Sequence, residues 1–302
     1  MSTVTRAPKI GTLLTAMVTP FDASGAVDYK EATRLAHALI DQGNDGLVIS
    51  GTTGESPALE DDETVELVRA VKASLGDKGS VVGGAGSNNT DHAVEMTKRV
   101  IDAGADGVLS VVPYYSKPTQ DGMLRHFGAI AQASTKPVII YNIPHRTGVN
   151  MLPATLVELA NRYETIAGVK ESTGDSSQFS AILRDRPAGF GFWSGDDHQF
   201  LPSLAIGGDG LIGVASHLCA KEFKEIFTAY RSGEVARAAQ VHLSLGPLFG
   251  ALFASANPIP VKWAMQHLGF NVGECRSPLG AMPEELKARL GALIEPYRAR
   301  FA

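Results

Sequence analysis

The sequence predicts an α/β fold, a (β/α)8 TIM barrel over residues 1–232 with a C-terminal helical appendage over residues 233–302. Three observations carry this reading. Short β-branched apolar runs recur eight times, segments of helical periodicity separate them, and the strand signal ends near Ser232-Gly233. Apolar runs of this length without alternation fit parallel strands buried on both faces. Their starts lie roughly 20–35 residues apart, the length of a strand–loop–helix–loop unit. A doubly wound sheet is the main rival, but it more often has about five to seven strands.

The first strand lies in GTLLTAMV from Gly11. A helix over 29–40 follows, with Ala32, Leu35, Ala36 and Leu39 on one face. GLVIS from Gly46 is the second strand, and the helix over 63–75 carries a broader stripe of Val65, Leu67, Val68, Val71 and Leu75. SVVGGAG from Ser80, GVLSVV from Gly107 and PVIIYNI from Pro137 continue the series. TIAGVKE from Thr165, GFGFWSG from Gly189 and GLIGVAS from Gly210 complete it. Asp41-Gln42-Gly43 and Asp102-Ala103-Gly104 read as helix stops ahead of strands. Beyond Ser232, the segments 234–242, 245–254, 260–268 and 283–300 read as helices separated by Gly and Pro breaks.

Composition narrows the function. The 302 residues carry a formal net charge of −5, which argues against a nucleic-acid binder. No stretch approaches the roughly 18 apolar residues of a membrane helix. The amino-terminal MSTVTRAPKIG lacks the apolar core of a signal peptide, so a cytoplasmic protein is expected. Asn88-Asn89-Thr90 is then a chance glycosylation triplet. Cys219 and Cys275 match no metal or redox spacing, and a disulfide between them is not expected in a reducing compartment.

In barrels of this kind the active site is built at the C-terminal ends of the strands. Lys170 stands there, closing Ile166-Ala167-Gly168-Val169-Lys170, whereas Lys136 precedes its strand and belongs to the opposite face. Dehydration at a strand end lowers a lysine pKa and frees the amine for Schiff-base chemistry. Position alone leaves a second reading, an ion pair with Glu171 or another carboxylate. Tyr141 ends the fifth strand and is either a proton relay beside an iminium or a core tyrosine with one hydrogen bond. Gly51-Thr52-Thr53-Gly54-Glu55-Ser56 offers backbone N–H groups and hydroxyls, a nest for a carboxylate, or else an ordinary tight turn. It lacks the lysine and the spacing of a nucleotide loop. Tyr114-Tyr115 suggests a site or an interface, or a plain exposed loop. Arg146 suits a substrate carboxylate bidentately, or lies free on the surface. Asp196-Asp197-His198 looks metal-like, but consecutive side chains diverge and no other His has ligand spacing, so no metal is expected. Gly84-Ala85-Gly86 is only a fragment of a dinucleotide fingerprint.

Taken together, these segments resemble the 4-hydroxy-tetrahydrodipicolinate synthase (dihydrodipicolinate synthase) family of pyruvate-dependent class I aldolase-type barrels. The resemblance runs from the TLLTAMVTPF segment at Thr12 to NPIPVK at Asn257. GTTGES, PYYSKPTQ at Pro113, YNIPHRTG, VKESTG at Val169 and SGDD at Ser194 follow in the family's order. PYY before Lys-Pro, and Arg-Thr-Gly after YNIP, are its more specific marks. His145 departs from the Gly or Ser usual there. The resemblance implies that Lys170 condenses with pyruvate to an imine and enamine, which attacks aspartate 4-semialdehyde. It implies a relay of Tyr141, Thr52 and Tyr115, the last from a neighbouring subunit. Thr52 and Thr53 would hold the pyruvate carboxylate, Arg146 that of the second substrate, and Gly195 and Ile212 would line the pyruvate pocket. It implies no metal or organic cofactor, no nucleic-acid or membrane partner, and a homotetramer built as a dimer of dimers.

Two other readings compete. One keeps the lysine but makes the protein a lyase or dehydratase of a longer 2-keto acid; Arg146 argues against it. The other is a silent barrel sensing a 2-keto acid, which the presence of Lys170, Tyr141 and Thr52 disfavours. Family members inhibited by lysine hold it at a subunit interface. Carried onto this chain, Ser56, Asn88 and Tyr114 match that set, while Pro57, Asp61, Thr64 and His92 do not. With His92 in place of a glutamate, an amino group loses its counter-charge, so weak or absent lysine inhibition is expected.

Overall fold

The computed structural model describes residues 10–301, so the amino-terminal segment on which the signal-peptide reading rests lies outside the described residues. Eight parallel strands close a barrel in sequence order. They are β1 (Leu13–Ala16), β2 (Gly46–Ile49), β3 (Ser80–Gly84), β4 (Gly107–Val111), β5 (Val138–Asn142), β6 (Ile166–Glu171), β7 (Gly191–Ser194) and β8 (Gly210–Gly213). The helices after the first four strands are α1 (Tyr29–Asp41), α2 (Asp61–Leu75), α3 (Thr90–Asp102) and α4 (Gln120–Ala133). Then come a single turn α5 (Pro144–Thr147), α6 (Pro153–Arg162), α7 (Ser176–Asp185), α8 (Phe200–Ala205) and α9 (Ser216–Arg231). Every predicted strand forms, because each run is short, β-branched and dry on both faces. The helix over 29–40 forms as α1: its apolar stripe is buried and the Asp28 side chain accepts the Glu31 N–H at 2.8 Å. It ends at Gly43, whose φ of +109° a side chain would resist.

Alternate strand residues face the barrel interior and the helix layer. Leu14, Val48, Val82, Leu109, Ile139, Tyr141, Trp193 and Ile212 form the inner cluster. The Trp193 ring plugs it, its Nε1 donating to Gly11 O at 3.0 Å. Gly168 and Gly191 make that possible, since a Cβ on either would stand 2.4 Å from the indole.

The carboxy-terminal segment is helical, with α10 (Val235–Leu252), α11 (Ile259–His267) and α12 (Glu284–Ile294) followed by a 3-10 turn, Glu295–Arg300. Two expectations are corrected here. The segments 234–242 and 245–254 are one helix, with Pro247 inside it. Proline there removes only the bond to the Leu243 carbonyl, on an exposed residue, while Val241, Leu245, Leu248, Phe249 and Leu252 bury one continuous face. The helix over 283–300 instead tightens into the 3-10 turn at Glu295, beside Pro296. Phe249 stacks on Phe223 of α9 at 5.6 Å, so appendage and barrel share one apolar core. No helix among the described residues is long and apolar enough to cross a membrane.

Candidate active site

Register brings the principal candidates together. Tyr141 on β5 pairs with Lys170 on β6, and Lys170 with Trp193 on β7, so all three share the inner face. The Lys170 amine lies 4.2 Å from the centroid of the Tyr141 ring. Lys170 is 5 % exposed and forms no ion pair or hydrogen bond among the described residues. Glu171, the partner an ion-pair reading would choose, points to the helix side. There it accepts from Asn142 Nδ2 at 3.0 Å and Gln178 Nε2 at 3.2 Å. Burial therefore lowers the Lys170 pKa to about 8, a drop partly offset by Asp197 and reinforced by Arg146. At pH 7 about a tenth of such an amine is neutral, against fewer than about one in a thousand for an ordinary lysine.

Burial acts oppositely on Tyr141 and raises its phenol to about 12. Arg146 and the neighbouring hydroxyls of Ser172 and Thr52 oppose that rise. The phenol thus stays protonated, as a proton donor must. Gly195 follows β7 and has a steric reason to be glycine: an added Cβ would stand 2.9 Å from Lys170 Cε and 2.0 Å from Ser172 Oγ. Ile212 on β8 is fully buried in the inner cluster with Tyr141 and Trp193.

After β2 the chain turns sharply through Ser50 and Glu55, both at positive φ (56° and 59°). Within this turn the N–H groups of Thr52, Thr53 and Gly54 meet no acceptor among the described residues, which makes the loop an anion nest. The Thr53 hydroxyl accepts from Asn257 Nδ2 at 2.9 Å, which fixes its position and leaves its own proton to donate. Thr52 and Tyr141 border a cavity of ≈ 240 Å³ whose outer wall includes Ser56, Pro57, Asp61, Thr64, His92 and Tyr114. Asn88 is exposed and not part of that wall. Across it, His92 Nε2 meets Asp61 Oδ2 at 2.9 Å.

Arg146 sits on α5, exposed and without an ion pair among the described residues, near enough to depress both Lys170 and Tyr141. Tyr115 is 89 % exposed at a φ of +67° and stands outside its own chain's cavity. The side chains of Asp196, Asp197 and His198 diverge: Asp196 caps a turn by accepting the His198 N–H at 2.9 Å, and His198 is exposed. Asp197 turns inward, accepting the Ala215 N–H at 2.9 Å, and burial raises its carboxyl to about 7. Its electrostatic hold on Lys170 escapes the sequence, since an Asp-Asp pair in a loop carries no sign of which member is buried. Ser172, whose hydroxyl is buried beside Tyr141, escapes likewise, because a loop serine carries no sign of what it faces.

Comparison with known proteins places the chain in a family. The dihydrodipicolinate synthetase family matches residues 9–296. A 4-hydroxy-tetrahydrodipicolinate synthase from Moorella thermoacetica is 47 % identical over 285 residues, covering 94 % of this chain and 97 % of the relative. One from Dehalococcoides mccartyi is 44 % identical over 289 residues, 96 % of this chain and 97 % of the relative. Among solved structures, a dihydrodipicolinate synthase from Bacillus anthracis superposes with a TM-score of 0.93 at 39 % identity, covering 95 % of this chain and 98 % of that one. The enzyme from Cyanidioschyzon merolae with lysine bound gives 0.93 at 41 %, covering 96 % and 99 %. This chain belongs to the dihydrodipicolinate synthetase family.

Proposed function

We propose that the protein condenses pyruvate with L-aspartate 4-semialdehyde to 4-hydroxy-tetrahydrodipicolinate, a lyase-class step of lysine and diaminopimelate biosynthesis, through a Schiff base on Lys170. The Lys170 amine attacks C2 of pyruvate and water leaves, giving an iminium; loss of a methyl proton gives the enamine. The enamine carbon adds to the aldehyde carbon, whose oxygen takes a proton from Tyr141. The amino group of the semialdehyde portion then attacks the imine carbon and expels Lys170, closing the ring. Lysine itself is the electron sink, so the reading calls for no metal or organic cofactor.

The other roles follow from placement. The N–H nest at Thr52 and Thr53 receives the pyruvate carboxylate, and Gly195 and Ile212 shape the space beside the imine. The guanidinium of Arg146, without an ion pair among the described residues, receives the carboxylate of the second substrate. Tyr115, exposed and turned away from its own cavity, completes the relay of a neighbouring subunit in a homotetramer. The protein works in the cytoplasm on two small substrates, each of which carries a carboxylate. The observation that carries this reading is a buried amine at the end of β6 with no carboxylate partner among the described residues. Borohydride reduction in the presence of pyruvate is expected to add one three-carbon modification, on the peptide holding Lys170. Labelling elsewhere, or none in protein that turns over substrate, refutes the mechanism.

A further inference from the structure

The carboxy-terminal segment reaches the GTTGES loop with three hydrogen bonds. Lys262 Nζ of α11 donates to Glu55 Oε1 at 2.7 Å, with both side chains out of solvent. The Arg276 backbone N–H donates to Glu55 Oε2 at 2.8 Å. Asn257 Nδ2, just before α11, donates to Thr53 Oγ1 at 2.9 Å. From the barrel side, Thr19 Oγ1 donates to Gly54 O at 2.6 Å. The Thr53 hydroxyl, the Gly54 carbonyl and the Glu55 carboxylate are therefore each held, while the N–H groups of Thr53 and Gly54 meet no acceptor among the described residues. Glu55 has a left-handed backbone (φ 59°, ψ 35°) that a non-glycine residue adopts only when its surroundings enforce it. The enforcing contact is a buried carboxylate with an ammonium on one oxygen and an amide on the other.

We infer that Lys262 and Asn257 are positioning residues for pyruvate, clamping Glu55 and Thr53 so that the nest of N–H groups keeps the shape of a carboxylate. This rests on the function proposed above and extends it: the helical appendage is part of the substrate site, though no residue of it touches substrate. The clamp acts on the ground state and transition state alike, because the carboxylate is bound in both. Loosening it raises KM for pyruvate and leaves kcat nearly alone.

The test compares Lys262→Met, the double variant Glu55→Gln/Lys262→Met, and Asn257→Ala in the full chain. Readouts are thermal stability, KM and kcat for each substrate, and the pyruvate dependence of borohydride trapping at Lys170. Lys262→Met is expected to raise KM for pyruvate at least about tenfold, with kcat within about threefold and KM for the semialdehyde within about twofold. The double variant removes both buried charges, so it regains thermal stability yet keeps a raised pyruvate KM. Asn257→Ala, which touches no charge, raises it about threefold or more. Wild-type pyruvate KM in the double variant and in Asn257→Ala overturns the inference, even where Lys262→Met does not fold. A fall in kcat with KM unchanged overturns it too. Failure of wild-type protein to be trapped by pyruvate overturns the proposed function instead, and the clamp with it.

Discussion

Two lysines are buried against aromatic rings in this barrel, and they differ in one respect. Lys170 lies 4.2 Å from the Tyr141 ring centroid, and Lys262 lies 3.9 Å from that of Phe21. Both have their pKa lowered by burial. Lys262, however, meets the Glu55 carboxylate at 2.7 Å, and Lys170 meets none among the described residues. A paired ammonium stays protonated and serves as a strut. An unpaired one is raised in free energy until losing its proton becomes easy, which makes it a nucleophile. Burial alone does not make a reactive lysine; the missing partner does.

The comparison breaks hardest on the two lysine-to-methionine variants. Lys170→Met is expected to lower turnover by at least about a thousandfold, since the covalent step has no substitute. It is also expected to stabilise the fold. A folded-state pKa near 8, below the ordinary 10.5, means that stability is full above the unfolded pKa and falls as pH drops through 8. At pH 7 that deficit amounts to roughly 3 kcal/mol, which methionine removes. Lys262→Met has the opposite sign and is expected to cost about 3–5 kcal/mol at neutral pH, by stranding Glu55 in the core. Chemical denaturation of both variants at pH 7 and pH 10 decides the matter. The Lys170→Met gain shrinks at the higher pH, and equal signs for the two variants refute the contrast.

Arg146→Ala sharpens it. The guanidinium both depresses Lys170 and is proposed to hold the second substrate. Its loss is expected to raise KM for the semialdehyde about 10–100-fold, from hydrogen bonds to a charged group worth about 1.5–3 kcal/mol. The acid limb of pyruvate trapping moves to higher pH, because the Lys170 amine regains basicity. Steady-state kinetics beside a pH series of trapping measures both. Equal damage to trapping and turnover, with no shift of the limb, marks the arginine as structural.

The smallest effect concerns a third amine, free lysine as an effector. Lys262 shows what a buried ammonium needs, a carboxylate of its own. In the outer wall of the cavity the available carboxylate, Asp61, is already bound to His92 at 2.9 Å. Weak or absent inhibition by lysine is the expected outcome of an activity titration, and half-inhibition below about a millimolar contradicts it.

Much of the site was readable before the fold. The apolar run ending in Lys170 and the GTTGES turn are local patterns, and strand register then places Tyr141 opposite Lys170. Asp197, Ser172 and Asn257 were not readable, because their importance lies in what they face. That Asn257 donates to the Thr53 hydroxyl is visible only in the fold. Likewise, the break expected between residues 242 and 245 is absent, since continuous burial of one face of α10 outweighs the hydrogen bond lost at Pro247.

The sequence by itself determined the eight strands, the helices between them and the strand end at which the amine stands. Those properties depend on periodicity and burial over ten or twenty residues, and each segment carries that information within itself. Only the tertiary structure decided which buried lysine has a carboxylate partner. Lys262 and its carboxylate are 207 residues apart, and Glu171, adjacent to Lys170, turns to the other face of the strand. Charge pairing depends on distance in space, and closing the barrel is what sets those distances.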